Sequence, residues 1–145
     1  MAQSSFDAQV GAWVAKSRKR MLVVLQQSAQ DVITIMQTPV SRGGNMPVDT
    51  GFLRSSLQVT INQPASGLSS RPSGTQSYRV NEASYSLTLN NAKLGDSIFA
   101  VYLAKYAAAQ EYGTRFMQGH GFVRLAALQW PKVVEANVRK AQAIR

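Results

Sequence analysis

The sequence predicts an α+β domain, in which a long N-terminal helix is followed by an antiparallel β-meander and by a short helix and a C-terminal helix packed on that sheet. Apolar residues recur at three- and four-residue steps through the first third, while several later segments alternate apolar and polar residues. The last third returns to helical spacing. Separate runs of helix and strand favour an antiparallel sheet. At 145 residues we expect a single domain, residues 1–145.

The first predicted element is one long helix over residues 1–38. Its apolar stripe starts at Phe6 and is interrupted only by serines. Ser5 is the expected N-cap because its hydroxyl can accept a hydrogen bond from the first turn, and Pro39 ends the run. The stripe has more apolar surface than one small sheet can cover, so we expect part of it to pack on another subunit.

Residues 39–103 are predicted to hold loops and the β-meander. The segments SLQVTINQ, SYRV and YSLTLN alternate as half-buried strands do, which places Tyr85, Leu87 and Leu89 on one strand face. SIFAVYL is a continuous apolar run that suits a buried strand. Between them, PASGLSSRPSGTQ has the composition of a loop.

Residues 104–145 are predicted to be helical. AKYAAAQEYG is rich in alanine and ends at Gly113, where we expect a left-handed cap. Helical spacing resumes near Phe122. Pro131 should kink that helix or start a second segment of it.

The charge balance indicates an anionic partner. The chain has 16 Lys and Arg against 7 Asp and Glu, a net charge of +9. In the segment KSRKR, Lys16, Lys19 and Arg20 are helical neighbours that repel one another unless an external anion such as DNA phosphate compensates them. No aromatic residues interleave for base stacking, so sequence-specific recognition is not predicted. A solvated surface face is the alternative interpretation of this cluster.

The sequence shows no pattern typical of secretion or of a membrane span. The chain has no cysteine, its N-terminus MAQSSFDAQV lacks a signal-peptide pattern, and no window approaches the roughly 18 apolar residues of a membrane span. We therefore expect a protein made in the cytoplasm, with no membrane partner.

Catalytic chemistry finds little support in the residue pattern. The single histidine, His120, lies between glycines, and the acids Asp49, Asp96 and Glu111 are scattered. One histidine without cysteine leaves no ligand cluster for a metal. The sequence therefore predicts no catalytic, cofactor or metal site. A hydrolase using Asp49 or His120 remains an alternative.

The stretch MPVDTGFLRSSL holds an acid, a hydroxyl, a glycine and an arginine close together. We expect Asp49 to cap a short helix that begins near Thr50, Gly51 to permit close backbone approach, and Arg54 to reach a carboxylate or carbonyl. A turn before a strand accounts for these residue types.

A second stretch, AAAQEYGTRFMQGHGFVRLA, places an acid where it is electrostatically unfavourable. Glu111 lies near the C-terminal end of a predicted helix, which carries partial negative charge. It should therefore have a cationic partner, within the chain or across an interface. Arg54, Arg115 and Arg124 are the candidates.

Taken in order, these stretches resemble one family, the tail-component (tail-completion or neck) proteins of long-tailed bacteriophages. The likeness spans roughly residues 5–140. The matching residues are Val48, Asp49, Thr50, Gly51, Leu53, Arg54 and Ser56, then Tyr106, Ala107, Glu111, Tyr112, Gly113 and Thr114, then Phe122, Val123, Arg124 and Ala126. The chain departs from the family at Gly121 and Leu125, where proline is common, and its loop over residues 64–76 is longer.

The resemblance implies a non-enzymatic virion protein that forms a homo-oligomeric ring, expected to be sixfold, where head connector and tail tube meet. Its partners would be the connector or head-completion protein, the tail tube protein and the genomic DNA in the channel. On this basis Lys16, Lys19 and Arg20 are the channel-facing candidates, and the loops 41–47 and 64–76 should dock partners. A structural or interface role is expected for Asp49, Thr50, Gly51, Arg54, Glu111, Gly113, Thr114 and Arg124. The alternative is a non-specific basic DNA-binding protein that acts outside a ring.

Overall fold

The computed structural model describes residues 5–74 and 76–143, and it confirms the α+β class. The helices are α1 (Phe6–Gln37), α2 (Phe52–Ser55), α3 (Glu82–Asn90), α4 (Ala107–Tyr112), α5 (Phe122–Leu128) and α6 (Trp130–Ala143), with a 3-10 turn at Val40–Arg42. The strands are β1 (Leu57–Ile61), β2 (Ile98–Tyr102), β3 (Gly113–Thr114) and β4 (Met117–Gln118). Residues 1–4 of the predicted first helix, residue 75 of the predicted loop and residues 144–145 lie outside the described part.

Helix α1 begins and ends where the sequence predicts. The Ser5 side chain accepts a hydrogen bond from the Ala8 amide at 3.1 Å, so Ser5 is the N-cap. The helix ends at Gln37, two residues before Pro39, because a residue preceding proline is disfavoured in helical conformation. Its 32 residues make it about 48 Å long at 1.5 Å per residue.

Two of the predicted strands form the sheet. Strands β1 and β2 pair antiparallel, with Leu57 opposite Tyr102 and Ile61 opposite Ile98. Leu57 and Val59 are buried while the intervening Gln58 is exposed, as the alternation predicted. Strands β3 and β4 form a separate two-stranded ladder.

The rest of the predicted β-meander is wrong. YSLTLN lies in helix α3, and SYRV runs as a loop whose Tyr78 amide donates to the Thr50 carbonyl at 2.8 Å. Tyr85 and Leu89 are four residues apart and share the buried face of α3, whereas Leu87 is 66% exposed. An apolar run this short fits both the two-residue period of a strand and the 3.6-residue period of a helix. Packing against α1 and β1 stabilises the helix.

The core lies between the C-terminal half of α1, the β1–β2 pair, α3 and α5. Its most deeply buried large side chains are Phe122, Met46, Leu57 and Leu89. Phe122 of α5 packs edge-on against Tyr102 of β2, with ring centroids 5.2 Å apart. This cluster fixes the C-terminal half of α1 against the sheet and α5.

The C-terminal helix divides at proline, as predicted. Helix α5 ends at Leu128 and α6 begins at Trp130, so Pro131 lies in the first turn, where its missing amide hydrogen leaves no bond unmade. Helix α6 packs mainly along α1. There the buried Asn137 side chain donates to Ser28 Oγ at 3.1 Å and to Asp31 Oδ2 at 2.9 Å. Among the described residues, no helix has the length and apolar character needed to cross a membrane.

Candidate functional site

The first two motif stretches come together at one cavity. A cavity of about 290 Å³ is lined by the segment from Pro47 to Leu53, by Arg71, by Tyr106, which directly precedes the second stretch, and by Gln110 within that stretch. Phe52 and Tyr106 contact across it, with ring centroids 6.3 Å apart. Residues of the first stretch and of the chain around the start of the second therefore line one cavity in the fold.

Asp49 does not cap a helix, and that prediction is wrong. Helix α2 begins at Phe52 with Gly51 at the N-cap, so Asp49 lies two residues too early to reach the first-turn amides. Its carboxylate instead accepts from Arg71 Nη1 at 2.7 Å, in an exposed ion pair at the rim of the cavity. The Thr50 hydroxyl accepts a long hydrogen bond from the Phe52 amide at 3.4 Å.

Gly51 has the close backbone approach that the sequence predicted. Its φ is +86°, in the left-handed region. A Cβ atom built at this position would lie 2.5 Å from the Tyr78 carbonyl oxygen. Only glycine fits where the loop before α3 crosses the motif.

Arg54 finds its partners within the chain, in a buried polar network that sequence reasoning missed. Arg54 Nε donates to the Gln37 carbonyl at 2.7 Å, and the Gln37 side chain returns a bond to the Arg54 carbonyl at 2.9 Å. The Tyr102 hydroxyl donates to Gln37 Oε1 at 2.6 Å, and Gln37 Nε2 lies 3.3 Å from the Tyr85 hydroxyl. Burial raises the pKa of both tyrosines above the ordinary value of 10.0.

This network ties the end of α1 to α2, α3 and β2. Gln37 follows Ile33 by four residues and therefore continues the buried face of α1. A glutamine at the end of an apolar stripe is the one sequence signal that could have found it. Arg54 does not pair with Glu111; its nearest carboxylate oxygen belongs to Glu82, 4.0 Å from Nη2.

Glu111 has the predicted cationic partner, and it is Arg124. Arg124 Nε donates to Glu111 Oε1 at 3.0 Å, and Arg124 Nη2 donates to the Glu111 backbone carbonyl at 3.0 Å. The same carboxylate accepts the amides of Val123 and Arg124 at 2.8 and 2.9 Å. Glu111 is buried, so these bonds satisfy a desolvated charge. The acid that ends α4 thus stabilises the positive N-terminus of α5.

Gly113 has a different conformation from the one predicted. It follows α4 with a φ of 88° and a ψ of 173°, which is extended rather than the left-handed helical cap we expected. A Cβ atom there would lie 2.6 Å from the Gly119 nitrogen, because β4 returns alongside. Thr114 Oγ1 accepts the Phe116 amide at 3.1 Å and closes the β3–β4 turn.

The β3–β4 turn and α5 present an apolar surface that sequence reasoning did not single out. We name it the hairpin patch, and its members are Tyr112, Phe116, Leu125 and Leu128. Phe116 is 90% exposed. Leu125 and Leu128 line a groove of about 600 Å³ together with His120 and Arg124, and the Arg124 guanidinium lies 4.9 Å from the Tyr112 ring centroid. A large exposed apolar patch of this kind is typical of a docking surface.

Among the described residues, no other element covers the apolar side chains at the N-terminal end of α1. Phe6 is 79% and Trp13 is 69% exposed, and together with Val10 they form what we name the α1 face. Val10 and Trp13 lie eighteen residues, or five helical turns, before Ser28 and Asp31, so the α1 face continues the side of α1 that α6 covers. As described, α6 extends only six residues beyond Asn137 and cannot cover it.

The predicted basic cluster lies in the N-terminal half of α1. Lys16 and Lys19 are exposed and Arg20 is partly exposed. Neither lysine takes part in an ion pair among the described residues. Their exposure suits contact with an external anion.

The residues of the hydrolase alternative do not share a site. Asp49 lines the cavity beside α2, and His120 lines the groove of the hairpin patch. Within the described part of the chain, no group of three His, Asp or Glu side chains could hold a metal ion. No family model, curated protein or solved structure matches this chain.

Proposed function

We propose that this chain is a structural subunit of a ring at the head–tail junction of a long-tailed bacteriophage. In the neck or as a tail-completion or tail-terminator protein, it would join the connector to the tail tube and let DNA pass. The role is non-catalytic and located in the virion, after synthesis in the host cytoplasm. The observation that carries the proposal is the N-terminal half of α1, which combines an exposed apolar face with a basic cluster.

An uncovered apolar face supports assembly. Exposed aromatic side chains on a helix gain free energy when a partner removes them from water, at about 25 cal/mol per Å² of apolar surface. Phe6 and Trp13 have no partner element within the described chain that could do this. In a homo-oligomer, the neighbouring subunit can bury this face.

The basic cluster supports passage of DNA. Side chains of Lys16, Lys19 and Arg20 lie within little more than one helical turn, on a helix whose C-terminal half packs in the hydrophobic core. Contacts to phosphate alone are independent of sequence and weaken with salt, so a genome can slide past them. We assign these residues to the channel of the proposed ring.

The loops offer docking sites of two kinds. In the loop 41–47, Met46 is fully buried and bonded to Thr38, so this loop is anchored at one end. In the described part of the loop 64–76, Leu68 is 65% exposed beside the bridge between Ser69 and Ala104. We assign partner docking by connector and tube proteins to these two loops.

The exposed cluster also favours a second function, a free non-specific DNA-binding protein. A gel shift titrated with salt, together with native mass spectrometry, separates the two. The ring proposal predicts an oligomer of defined size, while the isolated monomer binds DNA feebly. Tight DNA binding by a monomer with a steep salt slope would support the second function instead.

A triple variant assigns the DNA interaction to the basic cluster. When Lys16, Lys19 and Arg20 are replaced by Ala, the salt slope should fall by about 0.9 for each phosphate that the protein no longer neutralises. A control variant replaces Arg79, Lys93 and Lys132, which are exposed cations elsewhere on the surface. Equal slopes for the two variants would contradict the assignment to the cluster.

A further inference from the structure

The chain has two bare apolar surfaces at different places in the fold. The α1 face is at the N-terminal end of α1, and the leucines of the hairpin patch line a groove between residues 119–121 and α5. One is a convex helical ridge with two aromatic side chains. The other includes a groove whose lining residue Arg124 lies 4.9 Å from the ring centroid of the exposed Tyr112.

One chain cannot bring its own two surfaces together. Phe122 and Ala126 of α5 belong to the same core cluster as Ile33 near the end of α1. Phe6 lies twenty-seven residues before Ile33 on one continuous helix, which places it about 40 Å away. The groove and the ridge are thus held apart by the length of α1, and contact between them needs a second molecule.

We propose that the α1 face of one copy of this chain packs into the hairpin patch of the next copy. The contact is heterologous, because each copy uses one surface for its predecessor and the other for its successor. Contacts of this type close into a ring when the rotation between copies is right. The inference rests on the proposed function for its biological setting, and it names the surfaces that would join neighbouring ring subunits.

The exposed area is large enough for such a contact. Aromatic side chains bury about 150–250 Å² each, so Phe6, Trp13, Tyr112 and Phe116 together offer about 600 Å² at their present exposure. Val10, Leu125 and Leu128 add to this. The total approaches the roughly 1,000 Å² at which specific interfaces begin.

Charge determines which part of α1 enters the groove. The hairpin patch is flanked by Arg115 and Arg124, and the nearby carboxylate of Glu111 is already bonded to Arg124. The first turn of α1 carries an acid, Asp7, next to Phe6. The basic cluster further along would be repelled by the same arginines. The first turns therefore face the groove, and the two lysines of the cluster stay outside it, free for DNA.

Disulfide cross-linking tests this contact directly, because the natural chain has no cysteine. One sample carries Val10→Cys and a second carries Leu125→Cys, and the two are mixed under mild oxidation. We expect a mixed disulfide dimer at a yield at least tenfold above that of the control. The control replaces Val10→Cys by Val23→Cys, since Val10 and Val23 are 42% and 45% exposed but lie on different sides of α1.

The outcomes separate this contact from the proposed function. A mixed dimer no more abundant than the control overturns the contact, and so does preferential pairing of Val10→Cys with itself. Rings seen at tail tubes without the cross-link would leave the proposed function standing and overturn the contact alone. The cross-link without any assembly on tail tubes would support the contact and count against the function.

Discussion

Glu111 is a buried carboxylate whose bonds hold α4 to α5. Replacing it with Ala leaves two amides of α5 and Arg124 Nε without their acceptor, while Arg124 Nη2 keeps its bond to the backbone carbonyl at position 111. We expect Glu111→Ala to lower the free energy of unfolding by about 2–3 kcal/mol, since unmade bonds at a desolvated site cost this much. Urea denaturation measures it.

A matched control for this prediction is Glu135, which forms an exposed pair with Arg139 one turn along α6. Exposed pairs at this spacing contribute about 0.3–0.5 kcal/mol. If Glu111→Ala and Glu135→Ala have equally small effects, the structural role of Glu111 is refuted.

Gly113 cannot carry a side chain. Its positive φ with an extended ψ costs a non-glycine residue about 1–3 kcal/mol, and the clash with the Gly119 backbone adds to this. We expect Gly113→Val to fold in low yield or to melt well below the parent protein in a circular dichroism scan. Gly67→Val is the control, because its φ is also positive but no atom lies within 4 Å of its Cβ position. Similar melting temperatures for both variants would show that the clash is not real.

The tyrosines around Gln37 predict a loss of stability in alkali. Burial raises the pKa of Tyr102 above its ordinary value of 10.0, so the folded state holds its proton more tightly than the unfolded state. This contribution to stability is complete below pH 10 and is lost as pH rises above 10. The urea midpoint should fall steeply there, and less steeply in Tyr102→Phe. Parallel curves for the two proteins would contradict the buried network.

Among the secondary-structure elements, the long helix could be predicted and α3 could not. Nine turns of apolar periodicity with a serine at one end and a proline at the other leave little choice. The six-residue segment YSLTLN fits both a strand and a helix. In the fold, the Asn81 side chain caps α3 by accepting the Ser84 amide at 3.3 Å, and contacts with α1 and β1 cover its buried face. Those contacts decide for the helix, and they are not visible in a single sequence.

The burial of two leucines distinguishes the helix interpretation of this segment from the strand interpretation. The strand interpretation puts Leu87 and Leu89 on one face, whereas in α3 Leu87 is exposed and Leu89 is buried. We expect Leu89→Ala to cost about 2–5 kcal/mol and Leu87→Ala less than about 0.5 kcal/mol in urea denaturation. Equal losses of unfolding free energy for the two variants would support the strand interpretation instead.

The candidate site could be predicted only in part, for similar reasons. The position of Glu111 at a helix end is enough to predict a cationic partner, but the sequence offers three candidate arginines. Only the fold shows that the partner is Arg124. Gln37 and Arg54 are joined across seventeen residues by a turn whose path the sequence does not specify. The hairpin patch could not be predicted because Phe116 and Leu128 share no sequence period.

Two features of the molecule as a whole bear on the proposed assembly. A helix of about 48 Å is anchored through its C-terminal half, and its other half carries uncovered aromatic side chains and a basic cluster. With a net charge of +9, copies gathered into one assembly would repel unless DNA or an acidic partner compensates them. The proposed ring around DNA would cover the aromatic side chains and compensate the charge.

Negative-stain electron microscopy of the purified protein, alone and mixed with phage tail tubes, tests the proposed ring most directly. We expect closed rings with a central opening, seated at one end of the tubes. Trp13→Ser should abolish the rings, and Leu87→Ser, an exposed apolar residue outside both surfaces, should preserve them. Monomers that leave the tubes bare at every protein concentration would contradict the proposed ring.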